Sequence, residues 1–294
     1  QELLLSWLAA RPATEARPKV IADVESLFTI RELSRNHLQR THQIATAAQL
    51  VNSESLSAEL ATLNAFDQVW SVSKLEANLL TQHIQGAVQQ VGHAFAATTE
   101  PPSFHNTNGL VFMGAMNFPG LPNLDALAWL ADAVFPALRR QNLLDPEQVP
   151  LTVIGPFRKD LAQPLLKRLQ AVWPTRHLGA VPQVEPVLRS HRLLLAPTRF
   201  AAGMPHKVQH SISVGVPVVT TELISTQMDW GDGDGLLASN SPIEFAQLIA
   251  RIYGDSGLWQ QVQAGGLARI RRDCDPGRLR RGMASSLGVS ITGP

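Results

Sequence analysis

The segment from residue 192 to residue 221 constrains the fold of this chain more than any other. An apolar run at 192–197 ends in a proline, as a buried parallel strand does. A helix can begin near Pro205, where the missing N–H is not needed, and end at Gly215. The β-branched run 217–221 predicts the next strand. Two parallel strands joined by a helix form a crossover unit, so we expect a doubly wound α/β sheet.

Two cations flank the carboxyl end of the first of these strands, where doubly wound sheets bind their ligands. Arg199 lies in the loop and Lys207 lies in the first turn of the helix. The free N–H groups of a helix N-terminus, its dipole and two cations suit a phosphate group. The sequence therefore predicts an anion site here. The alternative is an ordinary crossover unit with two solvent-exposed cations.

Composition excludes several classes of protein. The chain is 45% hydrophobic and 17% charged, which is enough apolar material for packed cores and too much for a disordered protein. The net charge of +1 gives no attraction to nucleic acid, and none is expected as a partner. The single cysteine, Cys274, excludes an internal disulfide framework and favours a reducing cytoplasm. No apolar run approaches the ~20 residues that span a bilayer.

Residues 1–97 predict a partial N-terminal α/β region. Residues 2–10 are a short helix candidate, and Ser73 and Glu76 occupy the positions of a capping box. The strand candidates are 19–25, 67–73 and 86–91. Because sheets usually hold about 5–6 strands, we expect this region to be the end of a domain that begins further upstream.

A linker over residues 96–108, which is rich in proline and hydroxyl residues, separates this region from a regular α/β alternation. We expect a Rossmann-like domain over residues 98–273 and a C-terminal helix within 274–294 that crosses back to the N-terminal region. Its strands are predicted over 109–114, 150–155, 176–181, 192–197, 217–221 and 235–239.

Six short segments occur in an order typical of one known family. Val72 and Glu76 belong to a Val-Ser-x-x-Glu sequence, and residues 112–129 join a Gly at a strand end to a Pro-Asn pair and an Asp-Ala-Leu-x-Trp run. Residues 197–220 hold a Pro-Thr-Arg-Phe-x-x-Gly loop, a lysine and a Pro-Val-Val-Thr strand. The segments are 72–76, 112–129, 151–155, 178–181, 197–220 and 241–246. Together they resemble the group 1 glycosyltransferases of bacterial type, from about Val20 to the C-terminus.

This resemblance implies a GT-B architecture, in which two Rossmann-like domains face each other across a cleft. It also implies that residues 1–97 form part of the acceptor side and residues 98–273 the nucleotide-sugar-binding domain. It implies an enzyme of hexosyltransferase type that transfers a sugar from a nucleotide-diphosphate-sugar donor to a glycan, lipid or protein acceptor. Such activity usually retains the anomeric configuration and needs no bound metal or other cofactor. Positive groups and a helix end stabilise the departing diphosphate instead.

The family's site residues carry over only where the motifs match, and the catalytic residues are not identified. The expected diphosphate-binding residues are Arg199, Lys207, Gly203, Met204 and Gly114. The expected nucleoside-binding residues are Val181, Pro182, Leu188 and His210. The alternatives are structural, because the two glycines also suit turns and the apolar residues also suit a core.

The sequence departs from the family pattern at three places. Many members carry two glutamates eight positions apart, whereas Ala202 and His210 stand at these positions here. His210 can bond a ribose hydroxyl but cannot act as a carboxylate acceptor. The family's cation after the first-strand glycine is replaced by Ala115. The early N-terminal strands, with a Gly-rich loop and often a histidine, have no counterpart before Val20.

A cluster of six arginines near the C-terminus could contact anionic lipid at the inner face of a membrane, and a solvated helix face is the alternative. The cluster comprises Arg269, Arg271, Arg272, Arg278, Arg280 and Arg281. The acidic stretch 229–235 lacks the bidentate acid of a calcium loop and predicts a surface turn. The histidines show no metal-ligand spacing, so no metal site is expected.

Two other functions remain open at this stage. A non-catalytic sugar-nucleotide-binding or scaffolding module of a larger glycosylation protein would explain His210 and the short N-terminal region. A nucleotide-sugar epimerase of the same two-domain fold would need no acceptor. In each case we expect a cytoplasmic protein, with peripheral membrane contact as an additional hypothesis.

Overall fold

In the computed structural model, residues 18–50 and 54–290, together with Ser6 and Ala10, are described. Within these residues two separate parallel sheets, of three and six strands, carry the fold. The helix candidate at residues 2–10 lies largely outside the described residues.

The three-stranded sheet and its helices form what we call the small unit. Its strands are β1 (Ile21–Val24), β2 (Gln68–Ser71) and β3 (Ala87–Gln90), and its helices are α1 (Phe28–Thr41), α2 (Ala47–Leu50), α3 (Glu54–Leu63) and α4 (Lys74–His83). The strands are parallel and follow the order β1-β2-β3. Leu27, Val69 and Leu80 are fully buried at its core. All three strands therefore end at one edge, which is the edge that faces the rest of the chain.

The six-stranded sheet is the frame of the large unit. Its strands are β4 (Leu110–Met113), β5 (Leu151–Ile154), β6 (Thr175–Gly179), β7 (Leu193–Ala196), β8 (Val218–Thr220) and β9 (Leu236–Ala238). They are parallel in the order β6-β5-β4-β7-β8-β9. The sheet has an apolar cluster on each face, which explains why its strands read as continuous apolar runs. The predicted doubly wound sheet is confirmed.

Helices cover both faces of this sheet. They are α5 (Pro122–Trp129), which continues through a π-helical segment (Leu130–Val134) into α6 (Phe135–Arg140), then α7 (Lys159–Val172), α8 (Val184–Ser190), α9 (His206–Ser213), α10 (Glu222–Met228), α11 (Pro242–Gly254) and α12 (Ser256–Asp273). A last helix, α13 (Pro276–Leu287), follows. The strand order reverses between β4 and β7, so the sheet has a crevice beyond the ends of these two strands.

Helix α13 lies against the small unit. Trp70 donates from Nε1 to the hydroxyl of Ser286 over 2.8 Å, and Gln89 donates from Nε2 to the carbonyl of Gly282 over 2.7 Å. Lys19 donates to the carbonyl of Ser286 over 2.8 Å. These bonds join helix α13 to β2, to β3 and to the segment just before β1.

One buried carboxylate, that of Glu76, joins the two units. Its Oε2 accepts the N–H of Leu27 over 3.1 Å, and its Oε1 accepts the N–H of Gly203 in the large unit over 2.5 Å. Burial raises the pKa of this carboxyl. Ser73 caps α4 by accepting the N–H of Glu76, as the sequence predicts, but the carboxylate does not return to Ser73. Of the two hydrogen bonds of the predicted capping box, only the one to the Ser73 hydroxyl forms. The Glu76 carboxylate accepts from Leu27 and Gly203 instead.

Gly203 offers a test of how closely the units fit. Its φ is +76°, and an added Cβ would lie 2.1 Å from the carbonyl oxygen of Glu25 in the small unit. Gly179 has a similar φ of +70° but no atom within 4 Å of the same position. We expect Gly179→Ala to destabilise the protein by about 1–2 kcal/mol, the cost of a left-handed alanine, and Gly203→Ala to destabilise it by more than about 3 kcal/mol.

Urea denaturation of the two variants measures both free energies of unfolding. Equal losses would contradict the close contact between Gly203 and Glu25.

Candidate functional site

An open groove of about 510 Å3 lies beyond the carboxyl ends of β4 and β7, at the switch point of the large sheet. Its walls come from the end of β4, the first turn of α5, the start of α8 and the first turns of α9. The lining residues are Met113, Gly114, Asn123, Val184, Pro205, His206, Lys207 and His210. The topology of the sheet, and no single motif, brings these four elements together.

Gly114 leaves room for the side chain of Asn123. A Cβ at Gly114 would lie 2.4 Å from Cγ of Asn123, so only glycine fits there. Asn123 donates from Nδ2 to the carbonyl of Ala115 over 3.0 Å, and its Oδ1 accepts from Lys207 over 2.6 Å. The close approach that the sequence predicts at Gly114 is thus made by a side chain of helix α5.

Lys207 is the cation of this groove. Its ammonium donates to the amide oxygen of Asn123 and lies 5.2 Å from the centre of the Phe112 ring. Within the described part of the chain, no carboxylate pairs with it. Burial lowers its pKa to about 8. A buried ammonium without a counter-ion attracts an anion, and the N-terminus of α9, which no side chain caps, adds the positive end of its dipole.

Arg199 does not face this groove. Its Nε and Nη2 donate to the two carboxylate oxygens of Asp125 over 2.9 and 2.5 Å. It lines a separate cavity of about 340 Å3, together with Arg35 of α1 and His42, the residue that follows this helix. The sequence-based expectation of a shared hollow for Arg199 and Lys207 is therefore not met. The physical reason is Asp125, which matches the guanidinium in a bidentate pair that the spacing of the motif does not reveal.

The two other residues expected at the phosphate also lie elsewhere. Gly203 is buried, and its N–H is engaged by Glu76, so this donor is not free for a phosphate. Met204 lines a cavity of about 360 Å3 on the other side of the loop, between the small unit and the last helices. The positive φ of Gly203 fits the alternative of a turn.

Of the residues expected at the nucleoside, His210 lines the groove and three do not. Leu188 is fully buried in the core, which corrects its expected role as a pocket wall. Val181 packs partly buried on the same core, and Pro182 is exposed. Val184, one helical turn before Leu188, faces the groove instead. The apolar pattern identified the right helix but the wrong face, because core and pocket positions have the same residue type.

The small unit brings His93 to the edge of the groove. His93 Nδ1 lies 3.0 Å from Oε1 of Gln209, and its Nε2 lies 3.4 Å from Oε2 of Glu25. Its ring centre is 5.1 Å from that of His206, and Phe95 stacks on His210 at 5.7 Å. Burial, followed by the charges of His93 and His210, lowers the pKa of His206. Sequence reasoning missed this group because its members lie far apart in the chain.

The arginine cluster is largely engaged within the protein. Arg269 pairs with Asp273 over 3.2 Å and lies 5.3 Å from the Trp230 ring centre. Arg272 pairs with Asp273 over 2.8 Å, and Arg278 donates to the carbonyl of Arg272 over 2.9 Å. Arg281 lies 3.9 Å from Asp275, whereas Arg271 and Arg280 are exposed. Contact of this cluster with lipid stays a prediction.

The described residues contain neither a membrane-spanning helix nor a metal-binding cluster. No helix there is long and apolar enough to cross a membrane. No three His, Cys, Asp or Glu side chains are arranged there so as to hold a metal ion. In the stretch 229–235, Asp232 and Asp234 accept the N–H groups of Ala238 and Gly231, which fits the predicted surface turn.

Comparison with solved structures places the fold among known enzymes. Anabaena HepE, in complex with UDP and glucose, superposes with a TM-score of 0.67 at 15% identity, over 92% of this chain and 72% of HepE. S. aureus TarM, in complex with fondaparinux, alpha-GlcNAc-glycerol and UDP, gives 0.66 at 10% identity, over 92% of this chain and 51% of TarM. The UDP-forming trehalose-phosphate synthase of Burkholderia vietnamiensis gives 0.61 at 12% identity, over 84% and 65% of the two chains.

Sequence comparison gives the family. A search of curated protein sequences found no match. The sequence profile of the group 1 glycosyl transferases matches residues 107–255, which is half of the chain and contains most of the large unit. With the two parallel sheets and the reversal of strand order at the groove, this match shows that the protein belongs to the group 1 glycosyltransferases and has a GT-B fold.

Proposed function

We propose that this protein transfers a sugar from a nucleotide-diphosphate sugar to a hydroxyl group of a glycan, lipid or protein acceptor. The observation that carries the proposal is the ammonium of the half-buried Lys207, which has no carboxylate partner among the described residues and lies at the switch-point groove. Family membership supports the reaction class. The complexes of HepE with UDP and of TarM with UDP support a nucleotide donor.

In this proposal the diphosphate lies between Gly114, Lys207 and the N-terminus of α9. Transfer breaks the bond between the anomeric carbon and the phosphate oxygen, and the acceptor oxygen bonds to that carbon and loses its proton. The negative charge that grows on the departing diphosphate is stabilised by the ammonium and the helix dipole. The mechanism we propose is retaining and uses no bound metal.

The nucleoside lies on the side of Val184 and His210. His210 faces the groove and is 3.4 Å from Glu185, so its ring can bond a ribose hydroxyl while the carboxylate orients it. We propose that Val181 and Pro182 contact the base from the loop before α8, since they lie three and two positions before Val184. Leu188 has no part in this arrangement, because it is core.

Arg199 acts through helix α5 in this proposal. Its bidentate bond to Asp125 holds the first turn of the helix, and Asn123 on the same turn holds Lys207. Arg199 is therefore a positioning residue for the donor site. This role differs from the direct phosphate contact that the resemblance implies.

Calorimetric titration with UDP, GDP and ADP tests the donor site. We expect one of them to bind, and Lys207→Ala to weaken that binding by about ten-fold or more, because a charge-assisted hydrogen bond is lost. Arg199→Ala should weaken binding less and should lower the free energy of unfolding instead. Lys167→Ala, at an exposed position of α7, is the matched control. Unchanged affinity in Lys207→Ala, or equal losses in the Lys207 and Arg199 variants, would contradict the proposed site.

The pH dependence of binding gives a second prediction. Burial places the pKa of Lys207 at about 8, so the free protein loses this positive charge as the pH rises through that value. We expect the affinity for the diphosphate to fall above about pH 8, by up to about ten-fold per pH unit. Lys207→Met should lower the affinity at every pH and remove its fall above pH 8. A wild-type affinity that stays constant from pH 7 to pH 9.5 would show that Lys207 does not bind the anion.

A non-catalytic sugar-nucleotide-binding module is the second candidate, and the observation that favours it is His210 in place of the family's glutamate. Product analysis with a bound donor separates the candidates. New glycoside formed only with an acceptor supports the transferase. Donor binding with no product from any acceptor class supports the module, and conversion of the donor sugar without acceptor supports an epimerase.

A further inference from the structure

A second cavity lies in the cleft between the two units, on the far side of the loop that separates it from the Lys207 groove. It measures about 410 Å3. Helices α1 and α4, residues 44–46 and Leu50 form its small-unit wall, and the ends of β8 and β9 with α10 form its large-unit wall. Because β8 neighbours β7, this cavity and the groove open at the same edge of the sheet. Ala201, in the loop after β7, lies between them and lines the cavity.

The two walls differ in chemistry. The small unit contributes mainly apolar side chains, among them Ile30, Leu50, Leu75 and Leu79. The large unit contributes Thr226, Gln227 and Asn240. No Lys, Arg or His lines the cavity within the described residues. The large-unit wall also carries Glu222, and a mainly apolar wall that faces a polar one suits an amphiphile.

The amide oxygen of Gln227 is the observation that points to a ligand in this cavity. Its side chain is only 3% exposed, yet its Oε1 is buried without a hydrogen-bond partner in the structure. A buried acceptor without a donor is unfavourable, so such atoms usually meet a partner. Gln227 lines this cavity, and a hydroxyl donor within it would satisfy the amide oxygen.

The acids at the cavity have partners already. Glu222 accepts from Nδ2 of Asn240 over 3.0 Å, and Glu76 accepts the two N–H groups that join the units. The cavity lining therefore offers no cation to an anionic head, and the negative charge of Glu222 disfavours such a head further. The oxygen of Gln227 needs a donor, and a hydroxyl group supplies one.

We propose that this cavity binds the hydrocarbon segment of an amphiphilic acceptor, whose hydroxyl-bearing neutral head donates a hydrogen bond to Gln227. The inference rests on the proposed glycosyltransferase function and narrows its acceptor to a lipid-type glycoside or long-chain alcohol. The hydrocarbon segment of the acceptor packs on the small-unit wall around Leu75 and Leu79, while its head group faces the large unit. A glycan without an apolar segment does not fill this site.

Calorimetric titration with decyl glucoside, below its critical micelle concentration, tests the site without a donor. We expect decyl glucoside to bind and free glucose not to bind. Leu79→Ser should weaken binding by about ten-fold, because the decyl group loses part of the apolar wall on which it packs. Leu178→Ser is the matched control, since Leu178 is exposed at the end of β6, outside this cavity, and its loss should leave the affinity unchanged.

The hydrogen bond to Gln227 has its own test. Decyl glucoside should bind several-fold more tightly than a decyl sulfobetaine, which has no hydroxyl, and Gln227→Leu should remove that difference. Binding of both amphiphiles that is unaffected by Leu79→Ser and Gln227→Leu would overturn the proposal, as would no binding by the wild type. UDP affinity of the same variants is measured in parallel. Intact UDP binding with no decyl glucoside binding overturns this inference alone, and decyl glucoside binding with no nucleotide binding overturns the donor site alone.

Discussion

The contact of the small unit with the loop after β7 depends on one buried carboxylate. Glu76 accepts an N–H from Leu27, which follows β1, and an N–H from Gly203 in the loop after β7, so it ties the segments beyond the carboxyl edges of the two sheets to each other. A buried carboxylate needs such donors, because without them its desolvation is unfavourable. The raised pKa of the carboxyl reflects that burial. Both cavities of the cleft, the groove at Lys207 and the cavity at Gln227, lie beside the loop that this contact fixes.

The positive charge of the groove exists because Arg199 is paired with a carboxylate and Lys207 is not. Arg199 is neutralised by Asp125, whereas Lys207 has only the amide of Asn123. Both partners belong to the first turn of α5, so one short stretch decides which cation stays available. An amide holds an ammonium in place without cancelling its charge. This is the arrangement expected of a site whose counter-ion is a ligand.

Much of the fold follows from local sequence rules. The Pro-terminated apolar run before Arg199, the helix start at Pro205 and the Gly at 215 each have a physical meaning, and the strands and helix appear where these residues place them. The site is less predictable. Val184 and Leu188 share one helix and one residue class, yet one faces the groove and the other is core. Gly203 was expected to bind phosphate, and its N–H instead meets Glu76, a residue 127 positions away.

The parallel six-stranded sheet, its crossover helices and the family can be predicted from the residues alone, because they depend on apolar periodicity, chain-breaking residues and local motif order. Three features emerge only from the packed fold: which cation faces the groove, which apolar residues line a pocket and which buried polar atom lacks a partner. The physical reason is that these outcomes depend on pairings across long stretches of chain, such as Arg199 with Asp125 and His93 with Gln209. Local spacing carries no information about such pairings, since they form only when the two sheets and their loops are packed together.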